Sequence, residues 1–307
     1  MSEFPTGAAT PASIVDALQD AAGNPKARAS FAKGRCVRGT YAASDRAKEI
    51  TKSRSFTGPS RVLARFSVGG NDPHVADTDK FVPRGFSFRL GDGDHRSNIL
   101  LQSAPVHFAR TPDQMLAFLK AHMVGPDGKP DTANITAFSA ANPEILRQAN
   151  YFATHPPPAS FAATTYWGVH AFPATNAMGE TRFIKFKAVP VGEDATLTDE
   201  EARAKPADFL HDDLESRIAA GDVRFNVMAL LDRPGDPTMD VTVRWPDEDS
   251  RDTVRLGTIV ITGIEANDAC DASVFDPANL AEGIGYPPDE IFAARRAAYV
   301  ISLARRR

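Results

Sequence analysis

Hydrophobic positions change period several times along the chain. Near the N-terminus Ile14, Leu18 and Ala21 recur at helical spacing behind Ser13, a predicted N-cap, and Gly23-Asn24-Pro25 predicts the helix stop. From Cys36 to Arg89 the period shortens to that of strands. CVRGTY, RVLARFSV and GFSFRL are separated by FTGPS and GGNDPHVADTDKFVPR, which is the texture of hairpins. Helical spacing returns after Thr111-Pro112-Asp113, where Met115, Phe118, Leu119 and Met123 share a face, and again around PEILRQANYF. Strands follow in ATTYWGVHAF, TRFIKFKAV, VRFNVMALL and DTVRLGTIVIT, with a hairpin turn at Asn176 to Gly179. The helix FLHDDLESRIAAG interrupts them, and Gly221 is its predicted glycine cap. The final stretch, PPDEIFAARRAAYVISLARRR, begins with prolines and acids and ends in arginines, as the helix dipole favours.

About eight strands, mostly hairpin-connected, with inserted and C-terminal helices, predict an α+β fold whose antiparallel sheet closes into an eight-stranded barrel. Within 1–307 the expected organisation is a single domain. It comprises a helical arm at 1–30, a barrel with inserted helices at 36–264 and a last helix at 288–306.

Composition narrows the function classes. Among 307 residues, 39 Asp plus Glu against 35 Lys plus Arg give a net charge of −4, which does not suit a bulk nucleic-acid binder. No run approaches the roughly 18 apolar residues of a membrane span, and MSEFPTGAATPASIVDALQDA lacks the basic and apolar regions of a secretion signal. The expected location is cytoplasmic. The two cysteines, Cys36 and Cys270, are expected as buried, reduced thiols. Neither H-x-x-x-H, G-x-x-x-x-G-K-[ST] nor G-x-S-x-G spacing occurs.

On the last helix Arg295 and Tyr299 stand four apart and share a face, and Arg306 lies further along a similar face. A guanidinium one turn from a phenol stabilises the phenolate, the oxygen ligand that ferric iron requires. The surrounding text, FDPANLAEGIGYPPDEIFAARRAAY, resembles the proximal segment of haem catalases, where FDP-x-NL leads into an R-x-x-x-Y ligand helix. Other stretches agree in the same order: FAKGRCVRGTY, ARFSVGGN with VPRGFSFRL, YWGVHAFPATNAMGETRFIKFK, FLHDDLESRIAAG, and VRWP with LGTIVITG. The resemblance covers nearly the whole chain and is to the short catalase-related peroxidases, or mini-catalases.

That resemblance implies haem b in the ferric state, Tyr299 as the iron ligand and Arg295 keeping it anionic. It places Arg28, Arg65 and Arg306 at the haem propionates and Phe108 in the haem pocket. It also implies a homodimer acting on hydrogen peroxide or an organic hydroperoxide together with a small reductant. His170 matches a position in the barrel wall and is expected to be structural.

Two distal positions depart from the family pattern. Catalases read H-A-K-G where this chain reads Phe31-Ala32-Lys33-Gly34, so a phenylalanine holds the place of the acid/base histidine. A benzyl group has no proton to move, and losing a positioned acid/base costs about 10²–10⁴-fold. The family's N-N-T-P-x-F-F aligns with Gln102-Ser103-Ala104-Pro105-Val106-His107-Phe108. Gln102 keeps an amide on a longer arm. His107 is open to three readings: a relocated base, a hydrogen-bond donor to a ligand, or a buried histidine satisfied by backbone. Three functions follow as alternatives: a peroxidase with weak or no catalase activity, a haem enzyme that rearranges or dehydrates an organic iron ligand, and a haem binder without turnover.

Overall fold

The computed structural model describes residues 7–20, 27–123, 130–192, 194–221, 223–272 and 274–306. Its strands are β1 (Gly34–Ala43), β2 (Ser60–Val68), β3 (Arg84–Leu90), β4 (Ser97–Gln102), β5 (Tyr166–Trp167), β6 (Phe172–Thr175), β7 (Thr181–Pro190), β8 (Val223–Leu231) and β9 (Thr253–Ile264). Helices are α1 (Pro11–Asp20), α2 (Ala47–Ile50), α3 (Arg54–Thr57), α4 (Pro112–Ala121), α5 (Thr132–Ala141), α6 (Leu146–Thr154), α7 (Asp199–Arg203), α8 (Phe209–Ala220), α9 (Asn267–Asp271) and α10 (Glu290–Arg306).

All strand pairs are antiparallel. The order runs β5-β4-β3-β2-β1-β9-β8-β7, and β5 pairs back to β7 to close a ring of eight, with β6 pairing to an earlier stretch of β7. Closure removes the edges that an open sheet would expose. Alternation sends Phe66, Phe86, Phe88, Phe186 and Phe225 inward, where Phe66 stacks on Phe86 at 4.5 Å between ring centres. The barrel interior is therefore a packed core, and any ligand must bind outside it.

Several local expectations are corrected. Thr10, not Ser13, caps α1: Ser13 N donates to Thr10 Oγ1 at 3.1 Å while Thr10 N donates to Ser13 Oγ at 2.9 Å. This reciprocal pair leaves Ser13 inside the first turn. The predicted stop at Gly23-Asn24-Pro25, and Ala21, lie outside the described residues. Gly221 does end α8, but its φ of 163° is extended backbone rather than a left-handed cap. The run ATTYWGVHAF is not one strand; it splits into β5 and β6 around Gly168 to Ala171, where His170 turns to reach α10.

The cysteines are not reduced thiols. Cys36 on β1 and Cys270 on α9 form a disulfide across a Cα separation of 5.9 Å, both fully buried. Folding brings together two side chains that stand 234 residues apart in sequence. A cross-link over so long a loop restricts the unfolded chain strongly, and its removal costs about 2–5 kcal/mol. Cys270→Ser is expected to lower the unfolding free energy measured in urea by that margin, with a larger m-value as the unfolded chain expands. An unchanged unfolding free energy would show that the bond contributes nothing.

Candidate active site

Strand register builds one wall of a cavity from residues scattered along the sequence. Arg65 pairs with Ser87 and Ser87 with Leu100 in one row, and Ser67 with Gly85, Gly85 with Gln102 and Gln102 with Trp167 in the next. With Phe66, Phe86 and Phe88 pointing inward, these rows face outward onto a cavity of about 420 Å³. Opposite them α10 presents Ile291, Ala294, Arg295, Ala298, Tyr299, Ser302 and Arg306, the three- and four-residue spacing of one helix face. Apolar residues of α1 and α4, among them Ile14, Leu18, Met115 and Phe118, complete the enclosure.

Tyr299 stands at the end of a buried polar chain. Arg295 donates to Tyr299 Oη at 2.8 Å and to His170 Nε2 at 2.8 Å, and His170 Nδ1 lies 2.8 Å from Asp289 Oδ2. A guanidinium only donates and a carboxylate only accepts, so His170 must be neutral with its proton on Nδ1. Burial depresses the His170 pKa, in keeping with that form. Burial alone would raise Asp289, but His170, the Phe292 N–H and Arg295 bring it below the usual carboxylate range. Asp289 also accepts from Phe292 N at 2.8 Å, which makes it the N-terminal cap of α10. One carboxylate thus starts the helix and orients the histidine that orients Arg295. His170 and Asp289 are the site residues that sequence reasoning missed. In the sequence Asp289 stands only as one of the acids that suit the start of the last helix, not as His170's partner.

At one end of the cavity stand three arginines, two of which pair with a single carboxylate. Arg28 pairs with Asp271 at 2.6 Å and donates to the Cys270 carbonyl at 2.9 Å, while Arg306 lies 3.8 Å from the same Asp271. Arg65, 7% exposed, donates to the Phe31 and Ala32 carbonyls at 2.8 and 2.9 Å. Burial first, then the charges of Arg28 and Arg306, push its pKa down to about 9. This excess of positive charge calls for an anionic ligand. Gly34 makes room for the Arg65 guanidinium, since a Cβ there would stand 2.4 Å from Arg65 Cζ.

Phe31, Gln102, His107 and Phe108 all line the cavity. Phe31 has a φ of 53°, a left-handed conformation that bulky residues rarely adopt, and its ring lies where a Cβ on Gly85 would intrude, at 2.9 Å. His107 stacks on Phe108 at 4.4 Å, and its Nδ1 is held by Ala109, 2.8 Å from the carbonyl and 3.1 Å from the N–H. Burial drives its pKa down to about 4, so it is neutral at pH 7 and a poor base. That geometry favours the histidine satisfied by backbone over a relocated base.

The site has room and donors for a haem. The phenol of Tyr299 lines the cavity with a guanidinium behind it, three arginines bring positive charge to one end, and the remaining wall is largely apolar.

Comparisons with known proteins agree. A family model described as Catalase matches residues 24–306. A catalase-related peroxidase of Synechococcus elongatus is 33% identical over 99% of this chain and 90% of its own length. Another, of Mycolicibacterium paratuberculosis, is 32% identical over 97% and 95%. Among solved structures, a fungal catalase superposes with a TM-score of 0.81 at 21% identity and catalase A of Saccharomyces cerevisiae with 0.82 at 21%, each over 91% of this chain. The chain spans 59% and 61% of those two catalases, and the likeness is one of fold. Closed barrel, ordered sequence motifs and near full-length similarity together establish that the chain belongs to the catalase family.

Proposed function

We propose that the protein is a haem b-dependent oxidoreductase of the peroxidase type, acting on hydrogen peroxide or an organic hydroperoxide with a small reductant and having weak or no catalase activity. The Asp289–His170–Arg295–Tyr299 chain, ending at a phenol oxygen in the cavity, carries this reading. Tyr299 would ligate the ferric iron. Arg28, Arg65 and Arg306 would hold the propionates, and Phe108 would pack on the macrocycle. When bound, the haem supplies the redox chemistry on the peroxide.

The chain's own residues divide the remaining work. Asp289 holds the His170 proton on Nδ1, which keeps Nε2 free to accept from Arg295, and Arg295 donates to the Tyr299 oxygen, where it would stabilise an iron-bound phenolate. On the other wall Phe31 excludes water and moves no proton. Near neutral pH His107 stays uncharged with Nδ1 tied to Ala109. These two residues support a second reading, a haem enzyme that rearranges or dehydrates an organic iron ligand, because Phe31 is apolar and His107 is only a weak base at neutral pH.

The assembly proposed is a homodimer, by family resemblance. No helix among the described residues is long and apolar enough to cross a membrane. The cytoplasm is the location expected from the sequence, while a persistent Cys36–Cys270 bond would favour an oxidising compartment.

The test is the absorption spectrum of haem-loaded protein titrated with hydrogen peroxide. A tyrosinate-ligated ferric spectrum that changes rapidly and recovers on adding a phenol supports the peroxidase. Slow bleaching, with spectral changes on adding organic ligands alone, supports the second reading. No haem spectrum would sink both. Asp289→Asn retains a good helix cap but removes the charge facing His170. We expect turnover to fall about 10–100-fold with the circular dichroism unchanged. Wild-type turnover would show that the carboxylate is only a cap.

A further inference from the structure

Two amides meet on one carbonyl at the cavity wall. Gln102, at the end of β4, donates from Nε2 to the Val106 carbonyl at 2.8 Å, and Gln148, on α6, donates to the same oxygen at 2.7 Å. A carbonyl only accepts, so each amide must offer its NH₂ there, and each Oε1 is thereby turned away from Val106. Among the described residues no group donates to either Oε1, yet neither is a sealed, unsatisfied buried atom, and both side chains line the cavity. Both oxygens are therefore reachable from the cavity, in surroundings that include Phe31, Phe108 and Trp167. In so apolar a setting an unpaired amide oxygen seeks a donor strongly.

We propose that Gln148, set by the Val106 carbonyl beside Gln102, is a positioning residue that accepts the O–H hydrogen of a neutral hydroperoxide. The proposal rests on the peroxidase reading above and deepens it. An amide oxygen is too weakly basic to carry the proton away, so the pair orients the substrate and leaves the proton on it. It selects the protonated hydroperoxide over its anion, because two carbonyl dipoles repel a negative ligand. His107, with Nδ1 held by Ala109, stands on the same wall without adding a charge at neutral pH.

The experiment uses haem-loaded protein and two probes of the ferric site, ammonia as a neutral donor and fluoride as an anion that can only accept. Gln148→Met keeps the volume and leaves Val106 bonded to Gln102; Gln148→Leu is the second variant should the first fold poorly. Loss of one hydrogen bond is expected to raise the dissociation constant of ammonia about tenfold. Fluoride is expected to bind more tightly, and the KM for hydroperoxide to rise with kcat little changed. A merely structural role would shift both probes the same way. Parallel shifts, or none, overturn the proposal while leaving the haem reading intact. Failure of the wild-type protein to show a haem spectrum overturns both together.

Discussion

Phe31→His is expected to raise the rate of hydrogen peroxide cleavage by about 10²–10⁴-fold, the range a positioned acid/base supplies. The backbone is already suited to the change. Phe31 sits at a φ of 53°, where a bulky apolar residue is strained and where histidine is found several times more often than average. Its carbonyl is held by Arg65, and the glycine at position 85 leaves space beside its ring. The substitution therefore needs no rearrangement of the wall. An imidazole near its ordinary pKa of about 6.5 would also introduce an acid limb in the rate profile, with activity falling below that value as the base is protonated. Stopped-flow measurement of oxygen release between pH 5 and 8 checks both points. A variant that folds, binds haem and gains nothing would mean that some other group limits the reaction.

Tyr299→Phe is expected to have the larger cost. It removes the one cavity-facing oxygen that Arg295 holds and leaves that guanidinium without an acceptor on that side, while the ring still packs on α10. The loss should exceed the roughly 10–100-fold produced by removing a supporting partner such as Asp289, because the ligand itself is gone. Titration of the protein with haem should show a weaker complex without the tyrosinate spectrum, and turnover should fall to the level of free haem. Tyr299→His restores an iron ligand of a different kind and should recover binding with an altered spectrum. If Tyr299→Phe keeps the wild-type spectrum, the ligand lies elsewhere.

Much of this arrangement was legible in the chain because its signals are local. Arg295 and Tyr299 are one helical turn apart, and the strands β1, β2, β3, β7, β8 and β9 announce themselves by alternation. What depends on distant pairing was not legible. His170 looked like one more residue in a strand, since its partners Asp289 and Arg295 lie 119 and 125 residues away. Cys36 and Cys270 looked too far apart to meet, until β1 closing on β9 brought α9 across it. The short strand β4 and the helices α5, α7 and α9 passed unnoticed, having weak or brief periodicity. Gln148 carried no signal at all, because only the folded chain brings its amide to the carbonyl that Gln102 already holds.

The cavity is enclosed by two helices from opposite ends of the described chain. Arg305 on α10 pairs with Asp16 on α1 at 2.6 Å and donates to Gln19, 286 residues away, at 2.8 Å. Contacts of such long range form slowly, because the chain between them must close before the contact stabilises anything. That side of the cavity is therefore completed only when the two ends of the described chain have met.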